Sequence, residues 1–156
     1  MCIRDRKKAL ELFNKRNVKV FTGAENKSGK DQLKVLYNFI RKFDHSSNVL
    51  FILDVDVSAD KPWPEEDNNT YFYILPPNTE NQKIPKGIEN MFSETDINSF
   101  MEVNEKKDAN GNLKRADYHI PNNEKTNLAE HLCKTGNKET FKNFQCLIEK
   151  LEQIEK

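Results

Sequence analysis

The sequence has little of what marks the commonest kinds of site. Only five of its 156 residues are glycine, and no G-x-x-x-x-G-K-[ST] phosphate loop occurs among them. The nearest approach is "TGAENKSGKD". There five residues, Ala24 to Ser28, separate Gly23 from Gly29, where the loop that cradles a phosphate chain has four. Asp31 stands where a magnesium-binding hydroxyl belongs, and its carboxylate would repel phosphate. The stretch therefore reads as ordinary punctuation between a strand and a helix. Cysteine is equally sparse. Cys2, Cys133 and Cys146 form no C-x-x-C pair, which speaks against a structural zinc module and for reduced thiols in a cytoplasmic protein. A Cys133–Cys146 disulfide, or a metal held by the two with His131, is the minor alternative. No apolar run approaches the ~20 residues of a membrane span, and no signal-peptide core opens the chain. Charge of one sign is lacking too, because 25 basic residues balance 25 acidic ones. No global field draws the chain to a polyanion, so any basic surface is local.

What the chain does contain is charge and a few apolar runs. Charged residues make up 32% and the mean hydropathy is -0.86, with the polarity concentrated in residues 58–70 and 102–126. "KKALELF" reads as the interior of an amphipathic helix, with Leu10 and Phe13 on one face. "VKVFTG" predicts a strand through Val18, Val20 and Phe21 that ends at Gly23. Residues 30–43 place Leu33, Leu36, Phe39, Ile40 and Phe43 at helical spacing, which predicts a helix laying that stripe on a sheet. In "NVLFILDVDV" the run from Val49 to Leu53 is uninterrupted apolar sequence, the pattern of a strand covered on both faces. Helix, strand, helix, strand implies an α/β fold with a doubly wound parallel sheet. "TYFYILPP" predicts a further strand, and residues 94–101 a helix capped by Ser93 or Thr95. Residues 102–126 read as a polar loop or hairpin turning at Asn110-Gly111. The final helix shows the clearest periodicity, in Phe141, Phe144, Leu147, Ile148, Leu151 and Ile154.

Asp54 and Asp56 carry the strongest chemical signal. Strand residues two apart share a face, so both carboxylates emerge where a buried strand reaches its C-terminal end, the place where open α/β sheets bind ligands. Two carboxylates so close do not both ionise cheaply unless a cation neutralises them, and a hard ion such as Mg²⁺ suits oxygen donors. The bland alternative is that the aspartates accept backbone N–H bonds in a turn.

"FILDVDVS" resembles two families. Haloacid-dehalogenase phosphatases also carry D-x-D after a hydrophobic strand, and that resemblance implies Asp54 as a phosphoryl-accepting nucleophile. The order "KKALELF", "VKVFTG", "SGKDQLKVLYNFI", "LFILDVDV", then "KIPKGIENMF" and "NLAEHLCKTGNKETFKNFQCLIEKLEQI", more closely resembles the Toprim domain at the C-terminus of overcoming-lysogenization-defect (OLD) and abortive-infection ATPases. This resemblance implies a Toprim-like parallel sheet flanked by helices, N-terminally truncated, with a C-terminal helical segment. Residues 1–6 then read as a non-native leader. Residues 7–92 read as the Toprim-like core lacking its first strand, and 93–156 as a helical extension with a polar loop at 102–126. It further implies Mg²⁺- or Mn²⁺-dependent endonuclease chemistry in an ATPase-linked phage-defence or DNA-repair protein. Asp54 and Asp56 would be both catalytic and metal-binding, Glu89 of "GIEN" a further ligand, and Lys125 a catalytic cation. DNA, an upstream ATPase domain and a second copy of the chain are the implied partners, with no membrane. The family's first-strand Glu does not precede the first helix here, so the resemblance implies impaired catalysis. A non-catalytic α/β interaction module is the third reading.

Overall fold

The computed structural model describes residues 3–15, 17–20, 30–55 and 65–155. The chain is a mixed α/β protein with one parallel and one antiparallel strand pair, set among helices. Helix α1 spans Ile3–Leu12, so it takes in residues of the segment read as a leader. Helix α2 spans Lys30–Ile40, and strand β1, Val49–Leu53, follows it. Strand β2, Thr70–Ile74, pairs with β1 in parallel register from Val49 opposite Thr70 to Leu53 opposite Ile74. A bond from the Leu75 N–H to the Leu53 carbonyl, 3.1 Å, extends the pair by one step. Among the described residues β1 pairs only with β2. Val18 to Val20 of the expected preceding strand are irregular, while Phe21 to Gly23, and the Gly-Lys stretch with them, lie outside the described residues.

Helix α2 packs on the sheet with a different face from the one its periodicity predicts. Tyr37 is fully buried, with its ring edge-on to Phe51 at 5.4 Å and to Phe72 at 5.8 Å. Leu36, Phe39 and Phe43 of the expected buried stripe are exposed. Tyrosine can line a core because its hydroxyl needs only one acceptor, here the Glu65 carbonyl at 3.1 Å.

After β2 the chain turns through Pro76 and Pro77 into a loop tied by buried amides. Asn90 accepts from the Asn78 N–H at 2.7 Å and donates to the carbonyls of Ile84, Asn81 and Asn78. Asn81 donates to the Phe92 carbonyl at 2.9 Å. These bonds hold the 3-10 turn Ile88–Met91, which begins after Gly87. At Gly87 φ is +74°, and an added Cβ would strike the Glu89 carboxylate, so glycine is what the turn accepts. Ser93 caps the short helix α3, Glu94–Ile97, accepting from the Asp96 N–H at 3.2 Å, as one of the two expected caps.

Of the two readings of residues 102–126, the hairpin is the one found, and the span runs on into a helix. Strands β3, Glu102–Lys107, and β4, Leu113–His119, form an antiparallel hairpin, and α4, Asn122–Thr135, begins three residues later. Asp108 sets the turn by accepting from the N–H groups of Asn110 and Asn112, both at 2.9 Å, with Gly111 at φ +82°. Helix α4 ends at Gly136, where a Cβ would come within 2.6 Å of the Phe141 ring. The 3-10 turn Lys142–Phe144 leads into α5, Gln145–Ile154, which buries Leu147, Ile148 and Leu151 as its spacing predicts. Phe92, Phe141 and Phe144 pack with ring centroids 5.2 to 5.6 Å apart at the centre of one core. That core draws Ala9 and Leu10 from α1, Leu75 after β2, and Leu128 and Leu132 from α4. Among the described residues no helix is long and apolar enough to cross a membrane.

Candidate functional site

At the carboxyl end of β1, Asp54 meets helix α1. Asp54 follows Leu53 directly, and the Arg6 Nη2 donates to its Oδ1 at 3.3 Å. The Arg6 side chain is 8% exposed and that of Asp54 24%, so the pair is sheltered without being sealed. Burial pulls the Arg6 guanidinium below its ordinary pKa, and the charges of Asp54 and Asp5 pull it back up.

Asp5, one residue before Arg6 on α1, is the most unusual group in the cluster. It is 3% exposed, and among the described residues its Oδ1 has no hydrogen-bond partner. Burial first, and the nearby charge of Glu89 second, push its carboxyl up to about 7, against the opposing pull of Arg6. Glu89 faces the same region from the 3-10 turn and is held by Lys125 of α4, Nζ to Oε1 at 3.0 Å. Lys125 remains half exposed. Arg4 fixes α1 to α4 through Glu130 at 2.7 Å.

Of the residues that the sequence marks, the structure thus places Asp54, Glu89 and Lys125 around α1, linked through Arg6 and Asp5. Asp56 lies outside the described residues. The histidines serve packing and hydrogen bonding. His45 bonds the Ser47 carbonyl and Thr70 Oγ1, His119 lies 3.4 Å from Asn104, and the His131 ring packs on Phe100. Cys133 and Cys146 are thiols, not joined as a disulfide.

Asp5 and Arg6 are the residues that sequence reasoning missed. The signal was present: each lies four residues before a buried apolar residue, Ala9 and Leu10, on the same helical face. Among the described residues no three ligating side chains already stand close enough to grip a metal ion. The donor chemistry nevertheless suits a hard cation, because the carboxylates of Asp5, Asp54 and Glu89 offer only oxygen and Asp5 Oδ1 is buried with nothing to satisfy it. No protein-family model, curated protein or solved structure matches the chain.

Proposed function

We propose that this chain is a metal-dependent phosphodiesterase module acting on DNA, of the Toprim type, serving an ATPase-linked defence or repair protein. The observation that carries the reading is the position of Asp54, at the carboxyl end of a half-buried parallel strand and bonded to Arg6, whose neighbour on α1, Asp5, is a buried carboxyl with an unsatisfied oxygen. Asp54, Asp5 and Glu89 would hold Mg²⁺ or Mn²⁺, with Asp56 two residues further along the sequence. A bound divalent ion supplies an acidified water and positive charge for the phosphate oxygens. Arg6 orients Asp54 and offsets part of its charge in a sheltered place. Lys125 orients Glu89 and, being half exposed, keeps donor capacity for an incoming phosphate.

Calorimetric titration with Mn²⁺, run beside plasmid nicking, tests this. The expected result is binding heat and slow nicking by the wild-type chain, with both reduced at least about 100-fold in Asp54→Asn, an effect of roughly 3 kcal/mol. Equal heats and equal nicking in the two proteins would remove the metal site. A beryllofluoride adduct on Asp54 would turn the reading toward the dehalogenase-type phosphatase.

A further inference from the structure

The hairpin β3–β4 makes no evident contribution to the core along most of its length. Every residue of β3 is exposed, as are Leu113, Lys114 and Arg115 of β4, so its distal half is free on both faces. A two-stranded ribbon that buries so little gains little stability from its own formation.

Its charges are sorted along its length. The distal half carries Lys106, Lys107, Lys114 and Arg115 against two acids, Asp108 and Glu105, the latter 3.8 Å from the Lys107 ammonium. The Asp108 carboxylate is engaged by the N–H groups of the turn, which hold it below its usual pKa. The proximal half carries Glu102 and Asp117 and no cation. The whole chain is neutral, yet this projection is positive at its far end and negative at its root.

The register concentrates the positive end further. Lys106 stands directly opposite Arg115, and a bulge follows between Lys106 and Lys107. Like charges opposite one another destabilise a strand pair. Here both lean on the same carboxylate, Asp117, at 3.6 Å from Lys106 and in closer contact with Arg115. Such exposed pairs are weak, and a phosphate can displace them.

We propose that this ribbon is a nucleic-acid-contacting arm, with its distal cations on the phosphate backbone of duplex DNA. The choice of DNA as the polyanion rests on the phosphodiesterase reading above; the arm itself rests on exposure, charge sorting and register. A two-stranded ribbon has the width to enter a major groove, and cations on both strands reach phosphates on either side.

The test is fluorescence anisotropy of a labelled duplex, without divalent metal, over a range of salt concentrations. Lys106→Ala/Arg115→Ala should weaken binding about tenfold or more and lower the salt slope by about 2, since each lost phosphate contact removes about 0.9. Lys114→Ala, at a residue with no ion pair among the described residues, should lower the slope by about 1. A Lys42→Ala/Lys134→Ala control, with the same loss of charge elsewhere, should leave the slope unchanged. Equal slopes in arm and control variants, no duplex binding by the wild type, or tighter arm-dependent binding to phosphatidylserine vesicles than to duplex would overturn the proposal. Asp54→Asn separates the two readings. Arm-dependent duplex binding with unchanged metal heats leaves the arm and removes the metal site, whereas Asp54-dependent metal binding without duplex binding does the reverse.

Discussion

At Asp5 the fold holds a carboxyl where no donor meets one of its oxygens. Its pKa is raised from 3.8 to about 7, chiefly by burial, so the native chain binds this proton more tightly than the unfolded chain does. Stability from this group is therefore fully present below about pH 4 and is lost as pH rises through about 7, by roughly 3–4 kcal/mol in all. Urea unfolding at pH 4.5 and pH 8 should show Asp5→Asn more stable than wild type at the higher pH, with the gap narrowing at the lower. Mg²⁺ should close the gap at pH 8 by favouring the ionised wild-type carboxyl, and a gap indifferent to both pH and metal would show that Asp5 is a solvated acid. Asp54 could be read from sequence because its strand is a plain apolar run and its position two residues before Asp56 forms a motif. Asp5 and Arg6 left only the fainter trace of their four-residue spacing to Ala9 and Leu10, because a charged pair looks like solvated sequence until a helix turns it inward.

Helix α2 was legible as a helix and misleading as to its face. Periodicity measures how apolar residues cluster around an axis, and it places tyrosine on a polar flank. In the fold Tyr37 is 0% exposed against Phe51 and Phe72, while Phe39 is 60% exposed. Tyr37→Ala should therefore cost roughly 3–5 kcal/mol and Phe39→Ser only about 0.5 kcal/mol, read from denaturant midpoints. The reverse order would restore the stripe that the sequence predicts. The hairpin shows the opposite balance. Its turn was plain in Asn110-Gly111, but "EVNEKK" and "LKRADYH" have no apolar alternation, so strands standing clear of the core left no periodic trace. The turn chemistry at Asp108 carries information that side-chain patterning lacks.

Across the whole molecule, the mixed α/β character followed from the apolar run of β1 and the strong spacing of α5. The extent of the sheet did not follow, because a run such as "VKVF" satisfies strand preference whether or not a neighbour pairs with it. Nor did the placement of the core, which brings Ala9 and Leu10 together with Leu147 and Leu151 and so depends on contacts that no local pattern encodes. Those contacts have a consequence in time. Arg4 reaches Glu130 and Lys15 reaches Glu152 and Glu155, so α1 and the turn after it are clasped by residues more than a hundred positions away. Closing such a loop is entropically costly and follows the assembly of nearer partners. Leu10→Ala should accordingly speed unfolding and leave the refolding rate nearly unchanged in a chevron measurement, and a matching loss in refolding rate would place α1 in the nucleus instead. A chain made from its N-terminus produces α1 before α4 and α5 exist to receive it. The segment that brings Arg6 to Asp54 thus waits on partners that are synthesised after it.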